Sequence, residues 1–296
     1  FIVNKMRGDP GLFAAGMTAI AERTGWTPLG LVPFFPDARK LPAEDALALK
    51  ELAAAKPQDG DKLRIAVPML PRISNFDDLD PLRSEPGISV FFVEPGTAIP
   101  ADTNLVLLPG SKTTIDDLAA LRAEGWDIDI RAHVRRGGRV LGLCGGYQML
   151  GKTIADPFGI EGPPRTVEGL GLLDIATQFE TSKTLARVSG TLADSGAPFD
   201  GYEMHVGQTT GPDTARPVLT FSDGRADGAT SRDDRVAGCY VHGLFSSDLA
   251  RSAFLATFGI DLAGARYEAE VDDILDRFAE HLAKHIAIED LLKLAV

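Results

Sequence analysis

Cysteine is scarce: Cys144 and Cys239 are the only two in 296 residues. That excludes a multi-cysteine framework and makes a reducing cytoplasm the simplest compartment. Long apolar runs are missing too, and none approaches the ~20 residues that a membrane-spanning helix needs. Positive charge is in deficit, with 30 Lys and Arg against 42 Asp and Glu, a net charge of −12. Such a chain does not condense on phosphate backbones or anionic lipid, so nucleic acid and membrane surfaces are poor partners. A secretory n-region is also lacking at the start. Phe1-Ile2-Val3 reads instead as a strand entered partway through a fold, so the natural protein is expected to extend upstream.

What is present is an ordinary globular composition with length for about two domains. Phe1 to Val3 and Leu29 to Phe35 read as strands, with a helix from Leu12 to Arg23 that Gly25 would cap. A second helix is expected at Glu44 to Ala55, followed by a polar linker from Lys56 to Lys62. A new β/α series then begins. Arg64–Leu70, Ile88–Val93, Leu105–Leu108 and Arg139–Leu143 read as strands, with one or two helices in Thr114–Arg136. Short apolar strands separated by helices indicate an α/β fold, a mostly parallel sheet with flanking helices. Gly169 to Tyr240 is richer in strand and turn signals, and Asp248–Phe258 and Tyr267 to about Leu294 read as helices.

The chemistry concentrates in Arg139-Val140-Leu141-Gly142-Leu143-Cys144-Gly145-Gly146-Tyr147-Gln148-Met149-Leu150. An apolar strand runs into a Cys with glycines on both sides and a helix after it. This is the pattern of a nucleophile elbow, whose crowded backbone needs small neighbours. A sulfur at a helix start favours its thiolate, and the Gly145 N–H would face a developing oxyanion. The bland alternative is a small buried Cys at a strand end. Leu105-Val106-Leu107-Leu108-Pro109-Gly110-Ser111-Lys112 would finish at the same sheet edge, where Gly110 could complete an oxyanion hole. A plain Pro-Gly turn is the alternative there.

A base is needed as well, and two histidines have glycine-bounded settings: His242 in Tyr240-Val241-His242-Gly243 and His205 in Gly201-Tyr202-Glu203-Met204-His205-Val206-Gly207. The flanks do not separate them. His281 and His285 are four apart on the last helix but lack a zincin's Glu and a third ligand, and no metal site is expected. His133, in a basic helical stretch, is expected at the surface. Cys239 is read as a packing residue. Gly146 to Thr153 matches the P-loop pattern, yet Pro157 leaves no room for the long helix such a loop requires, so ATP is not expected to bind there. Arg72, Asn75 and Asp80 follow the first strand of the second series and could meet an acceptor, or simply cap a loop.

The elbow, the segments Gly201–Gly207 and Tyr240–Phe245, Leu70-Pro71-Arg72-Ile73-Ser74-Asn75-Phe76 and Leu108–Lys112 together resemble the CobQ family, the cobyric acid synthases. Asn4-Lys5-Met6-Arg7-Gly8-Asp9 and Leu41-Pro42-Ala43-Glu44-Asp45 extend that resemblance over nearly the whole chain. It implies two parts. Residues 1–57 would be the C-terminal remnant of an ATP-dependent, P-loop synthetase domain similar to dethiobiotin synthetase. Residues 62–296 would be a flavodoxin-like class I glutaminase domain.

The resemblance further implies amidation of peripheral carboxylates of adenosylcobyrinic acid a,c-diamide, with glutamine as nitrogen donor. The partners would be the corrinoid acceptor and the upstream synthetase domain, with ATP and Mg in the full-length enzyme and no cofactor in the glutaminase domain. Cys144 would be the nucleophile and His242 its partner. Class I glutaminases usually carry His-x-Glu, whereas Leu244 stands two after His242. The third group is therefore open, with Glu203 a candidate for it or for glutamine contact. Competing readings are a cobyrinic acid a,c-diamide synthase, a glutaminase subunit of lipid II amidation, a cysteine hydrolase on this fold, and a non-catalytic binding module.

Overall fold

The computed structural model describes residues 1–41, 57, 60–261 and 266–294. Contacts divide the chain into two compact units, Phe1–Pro42 with Glu268–Val296, and Ala43–Tyr267. In the smaller unit, β1 (Ile2–Met6) and β2 (Gly30–Pro33) pair in parallel around helix α1 (Ala14–Thr24). Gly25 ends the helix in the left-handed conformation, φ 71°, and its N–H returns to the Ala21 carbonyl at 2.8 Å.

The expected final helix is two, Tyr267–His285 and Ile288–Lys293. Between them the backbone joins the free edge of β2: Ile286 bridges Gly30, and the Ala287 N–H reaches the Leu29 carbonyl at 2.7 Å. Glu268–Val296 thereby belongs to the same compact unit as the first residues. The helix expected at Glu44–Ala55, and most of the linker after it, lie outside the described residues.

The larger unit is built on six strands in the order β15-β16-β8-β6-β3-β5. These are β3 (Leu63–Pro68), β5 (Ile88–Val93), β6 (Leu105–Leu108), β8 (Arg139–Leu143), β15 (Ala229–Thr230) and β16 (Val236–Cys239). All neighbours are parallel except the β15 edge. Every residue of β6 is buried, as expected of a strand covered on both faces. Helices α3 (Thr114–Ala123) and α4 (Trp126–Arg135) precede β8, so the α/β class read from the sequence is the class observed. His133 is a correction: it is buried on α4, with Nε2 against the Arg139 carbonyl at 3.0 Å, and burial pulls its pKa down. Its neighbours are basic, but its own helix position faces the sheet.

The strand-rich segment forms a second sheet, β10-β9-β11-β12-β17. Here β9 is Thr153–Asp156, β10 is Arg165–Glu168, and β11 (Ala176–Leu192) and β12 (Pro198–Thr210) make a long hairpin. The run Val236–His242 divides at Tyr240. Its first half is β16, in the parallel sheet, and its second is β17 (Val241–His242), paired antiparallel with β12. Asp227 holds the break by accepting the Tyr240 N–H at 2.8 Å. This change of sheet carries His242 to the carboxyl ends of the parallel strands. Among the described residues, no helix is long and apolar enough to cross a membrane.

Candidate active site

Cys144 stands between β8 and α5 (Gly145–Leu150) with φ 48° and ψ −108°. A side chain at such a positive φ costs about 1–3 kcal/mol, so the surroundings must over-determine it. They do so through backbone contact. A Cβ on Gly142 would lie 2.6 Å from the Gly146 carbonyl, and one on Gly146 would lie 2.1 Å from the Leu108 oxygen. The Cys144 N–H donates to the Cys239 carbonyl at 2.9 Å, and its own carbonyl accepts from Gln148 at 3.1 Å. The elbow is thus wedged between β6 and β16. The thiol is 8% exposed and points at the Met204 carbonyl, 3.6 Å away. Cys239 is fully buried, and burial pushes its thiol pKa well up.

His242 is 0% exposed. Its Nδ1 meets Asp78 Oδ2 at 2.7 Å, and Asp78 Oδ1 accepts the Gly243 N–H at 2.6 Å. One carboxylate thereby grips two consecutive residues, fixing the ring while leaving Nε2 without a hydrogen-bond partner. Burial pulls the imidazole pKa down. The Asp78 hydrogen bond and the charges of Asp78 and Cys144 outweigh that and raise it to about 10. A pKa raised in this way favours the protonated ring at neutral pH. Asp78 itself sits in a 3-10 turn, Phe76–Leu79, pinned by the burial of Phe76 and Leu79.

Around the thiol is a cavity of about 500 Å³ whose lining includes Ser74, Asn75, Ser111, Lys112, Gln148 and Glu161. Gly110 and Ser111 form β7, paired antiparallel with β4 (Ile73–Ser74). The Lys112 N–H donates to the Arg72 carbonyl at 2.9 Å. Alternation along an antiparallel ladder then turns Gly110 towards Ser74 and the Ser111 N–H away from it. A Cβ on Gly145 would lie 3.0 Å from that Ser111 nitrogen. Asp117 fixes the turn by accepting the Ser111 hydroxyl at 2.6 Å and the Arg72 N–H at 3.1 Å. Glu161 accepts the N–H groups of Thr114 and Ile115 at 2.9 Å each, and burial raises its carboxyl pKa.

The structure brings Cys144, Gly145, Gly110 and His242 to one place. Glu203 is elsewhere: cross-strand pairing sets Tyr202 opposite His242 and Glu203 opposite Val241. The Glu203 carboxylate accepts from Arg225 at 3.3 Å and lies 3.6 Å from His205. His205 lines the cavity but donates Nδ1–H to the Gly207 carbonyl and stacks on Tyr240, and burial lowers its pKa. Arg72 takes part through its backbone, donating its N–H to Asp117 and accepting from Lys112, and Asp80 pairs with Arg83 at 3.2 Å. His281 donates to the Pro33 carbonyl at 2.9 Å. Among the described residues, no group of three or more His, Cys, Asp or Glu could hold a metal ion. Nor do the residues of the P-loop match fit ATP: Lys152 pairs with Asp174 and Thr153 opens a strand where a phosphate-binding loop opens a helix.

The residue that sequence reasoning missed is Asp78. It is one of three aspartates in Phe76-Asp77-Asp78-Leu79-Asp80, and no pattern in that stretch distinguishes it. The available signal was its place in the loop after the first strand of the parallel sheet, on the edge where Cys144 emerges.

Known proteins resemble this chain in sequence and fold. The profile described as the CobB/CobQ-like glutamine amidotransferase domain matches residues 64–250. Proteins named cobyric acid synthase from Methylobacterium nodulans and Methylorubrum populi are both 62% identical to the chain, over 100% and 99% of it and 60% of their own length. One from Bradyrhizobium sp. (strain ORS 278) is 55% identical over 100% of the chain and 59% of its own. The chain thus spans about 60% of the length of the curated relatives it matches. Among solved structures, PurLQS from Thermotoga maritima shares the fold at TM-score 0.51 and 20% identity, over 67% of this chain and 98% of that one. With the profile matched over well more than half of its length, the chain belongs to the CobB/CobQ-like glutamine amidotransferase domain family.

Proposed function

We propose that this chain hydrolyses glutamine at a Cys144–His242–Asp78 triad and supplies the ammonia for a glutamine-dependent amidation. The observation that carries the reading is the His242 imidazole, held by Asp78 at 2.7 Å on Nδ1 with Nε2 left for the cysteine. Attack comes from the thiolate form of Cys144 beside the protonated His242 ring, whose Nε2 carries the proton, and it forms a bond to the side-chain amide carbon of glutamine. The tetrahedral oxyanion accepts N–H groups from Gly145 and from the Gly110–Ser111 turn, of which Ser111 has the free orientation. His242 then returns the proton to the departing nitrogen, releasing ammonia and leaving a thioester. Water, deprotonated by the same nitrogen, attacks the thioester carbon, giving glutamate and expelling the Cys144 thiolate beside the protonated ring, as at the start. The sum is glutamine plus water to glutamate plus ammonia.

For the intact protein we propose the reaction of its relatives, amidation of peripheral carboxylates of adenosylcobyrinic acid a,c-diamide to adenosylcobyric acid. ATP and Mg would act in a synthetase domain to which residues 1–57 would contribute. The support is identity to cobyric acid synthases along the whole chain. Replacing Cys144 by Ala in the intact protein should abolish synthesis from glutamine and spare synthesis from free ammonium. Equal loss with both nitrogen sources would overturn the reading.

A further inference from the structure

The His242 ring has a third neighbour besides Asp78 and Cys144. Tyr202 stacks on its face, with ring centroids 5.3 Å apart and planes at 29°. The stack is set by strand register, because Tyr202 is directly opposite His242 across β12 and β17. Gly110 also closes in on the ring: a Cβ there would come within 3.1 Å of His242 Cε1. Tyr202 is tied down in turn, its hydroxyl accepting the Asn75 side-chain N–H at 2.7 Å. Asn75 lines the thiol's cavity and precedes Asp78 by three residues, and the Asp78 N–H donates to the Asn75 carbonyl at 3.2 Å. Asp78, His242, Tyr202 and Asn75 therefore form a closed ring of contacts, with the substrate cavity touching one member.

We propose that Tyr202 is a positioning residue that holds the His242 imidazolium against Asp78, and that Asn75 links this hold to the presence of glutamine in the cavity. The inference rests on the triad reading above. An aromatic face stabilises a cation lying over it, so Tyr202 favours the protonated ring that donates to the leaving nitrogen. Its hydroxyl anchors the side chain at the stacking distance. Asn75 has φ 52°, a conformation that asparagine and glycine tolerate, so the loop can present its amide to both Tyr202 and the cavity. Glutamine that competes for that amide alters the hold on His242, and a released amide weakens glutamine binding. The charged or titratable groups facing the imidazole are Asp78 from the turn after β4, Cys144 from the elbow, and Tyr202 and His205 from β12.

The test is glutaminase kinetics against pH in the intact protein for wild type, Tyr202→Leu, Tyr202→Phe and Asn75→Gly. Glycine is the right replacement at 75 because it keeps the positive φ without strain. Tyr202→Leu, which removes the ring, should lower kcat by about tenfold or more and move the alkaline limb to lower pH. Tyr202→Phe and Asn75→Gly keep the ring and should leave that limb in place. Each should raise KM for glutamine by about three- to tenfold, and the double variant should be no worse than either single one. An unchanged kcat and alkaline limb in Tyr202→Leu, with only a lower melting temperature, would overturn the proposal. Multiplying effects of Tyr202→Phe and Asn75→Gly would overturn the link through Asn75 even if Tyr202→Leu failed to fold. If Cys144→Ala is inactive while these variants match wild type, this inference fails and the triad stands. If Cys144→Ala still hydrolyses glutamine, the triad fails first.

Discussion

The elbow at Cys144 and the His242–Asp78 pair share one cavity and are built in opposite ways. The elbow is contiguous: its strand, its glycines and its helix follow one another from Arg139 to Leu150. It is held by close packing of backbone on backbone, and charge has little part in it. The pair joins residues 164 apart in the chain and is held by one carboxylate with both oxygens engaged. A steric device tolerates no added atom. An electrostatic one tolerates a change of shape better than a change of charge. The two halves should therefore fail differently, the first by unfolding and the second by losing rate in a folded protein.

The largest effect expected is on the steric side. Gly146→Ala would set a methyl group 2.1 Å from the Leu108 oxygen, with no flexible side chain to give way. A loss of about 3 kcal/mol or more is expected, visible as a lower urea midpoint and little folded protein. Asp78→Asn should do the reverse, keeping the fold while lowering kcat for glutamine by about 10²–10⁴. Asparagine can still accept the Gly243 N–H but brings no charge to the imidazole. The high pKa of His242 owes much to Asp78, so the alkaline limb should fall from near pH 10 towards the ordinary histidine range. A folded Asp78→Asn enzyme with wild-type rate would erase the distinction between the halves.

A subtler contrast lies in stability against pH. The His242 pKa is raised in the folded protein, to about 10 from 6.5. The stabilisation it brings is complete below pH 6.5 and is lost as pH rises through 10. Urea midpoints should fall over that window in wild type and less so in Asp78→Asn. The smallest effect is expected at Glu203, whose carboxylate serves Arg225 and not His242. Glu203→Gln should change kcat/KM for glutamine by less than about threefold, within what a partly exposed ion pair contributes. A larger loss would return Glu203 to the machinery.

The same contrast explains what could be read in the sequence. The elbow was legible because its determinants are neighbours: an apolar strand, small residues where backbones cross, and a helix. The parallel sheet was legible for a similar reason, since β6 is wholly apolar and β3, β5 and β8 are short apolar runs with one polar residue each, Arg64, Ser89 and Arg139, near the start. His242 and His205 were indistinguishable because both sit between strand and glycine, and only the break at Tyr240 turns one of them towards a carboxylate. Asp78 was illegible because its neighbours Asp77 and Asp80 offer the same chemistry, and the choice among them is made by the burial of Phe76 and Leu79. The return of Glu268–Val296 to the first strands was hidden as well. It depends on a strand edge left open far away in the chain, which amphipathic periodicity does not report.

The buried neighbour of the nucleophile has a practical consequence. Cys239 lends its carbonyl to the Cys144 N–H while its own sulfur is sealed in the core. Of the two thiols, only the one at the cavity can meet a reagent in the native protein. Alkylation under native conditions should stop at one equivalent per chain and rise to two only on denaturation. The reagent consumed at the first plateau then counts working sites directly, so any preparation of this protein carries its own active-site titrant.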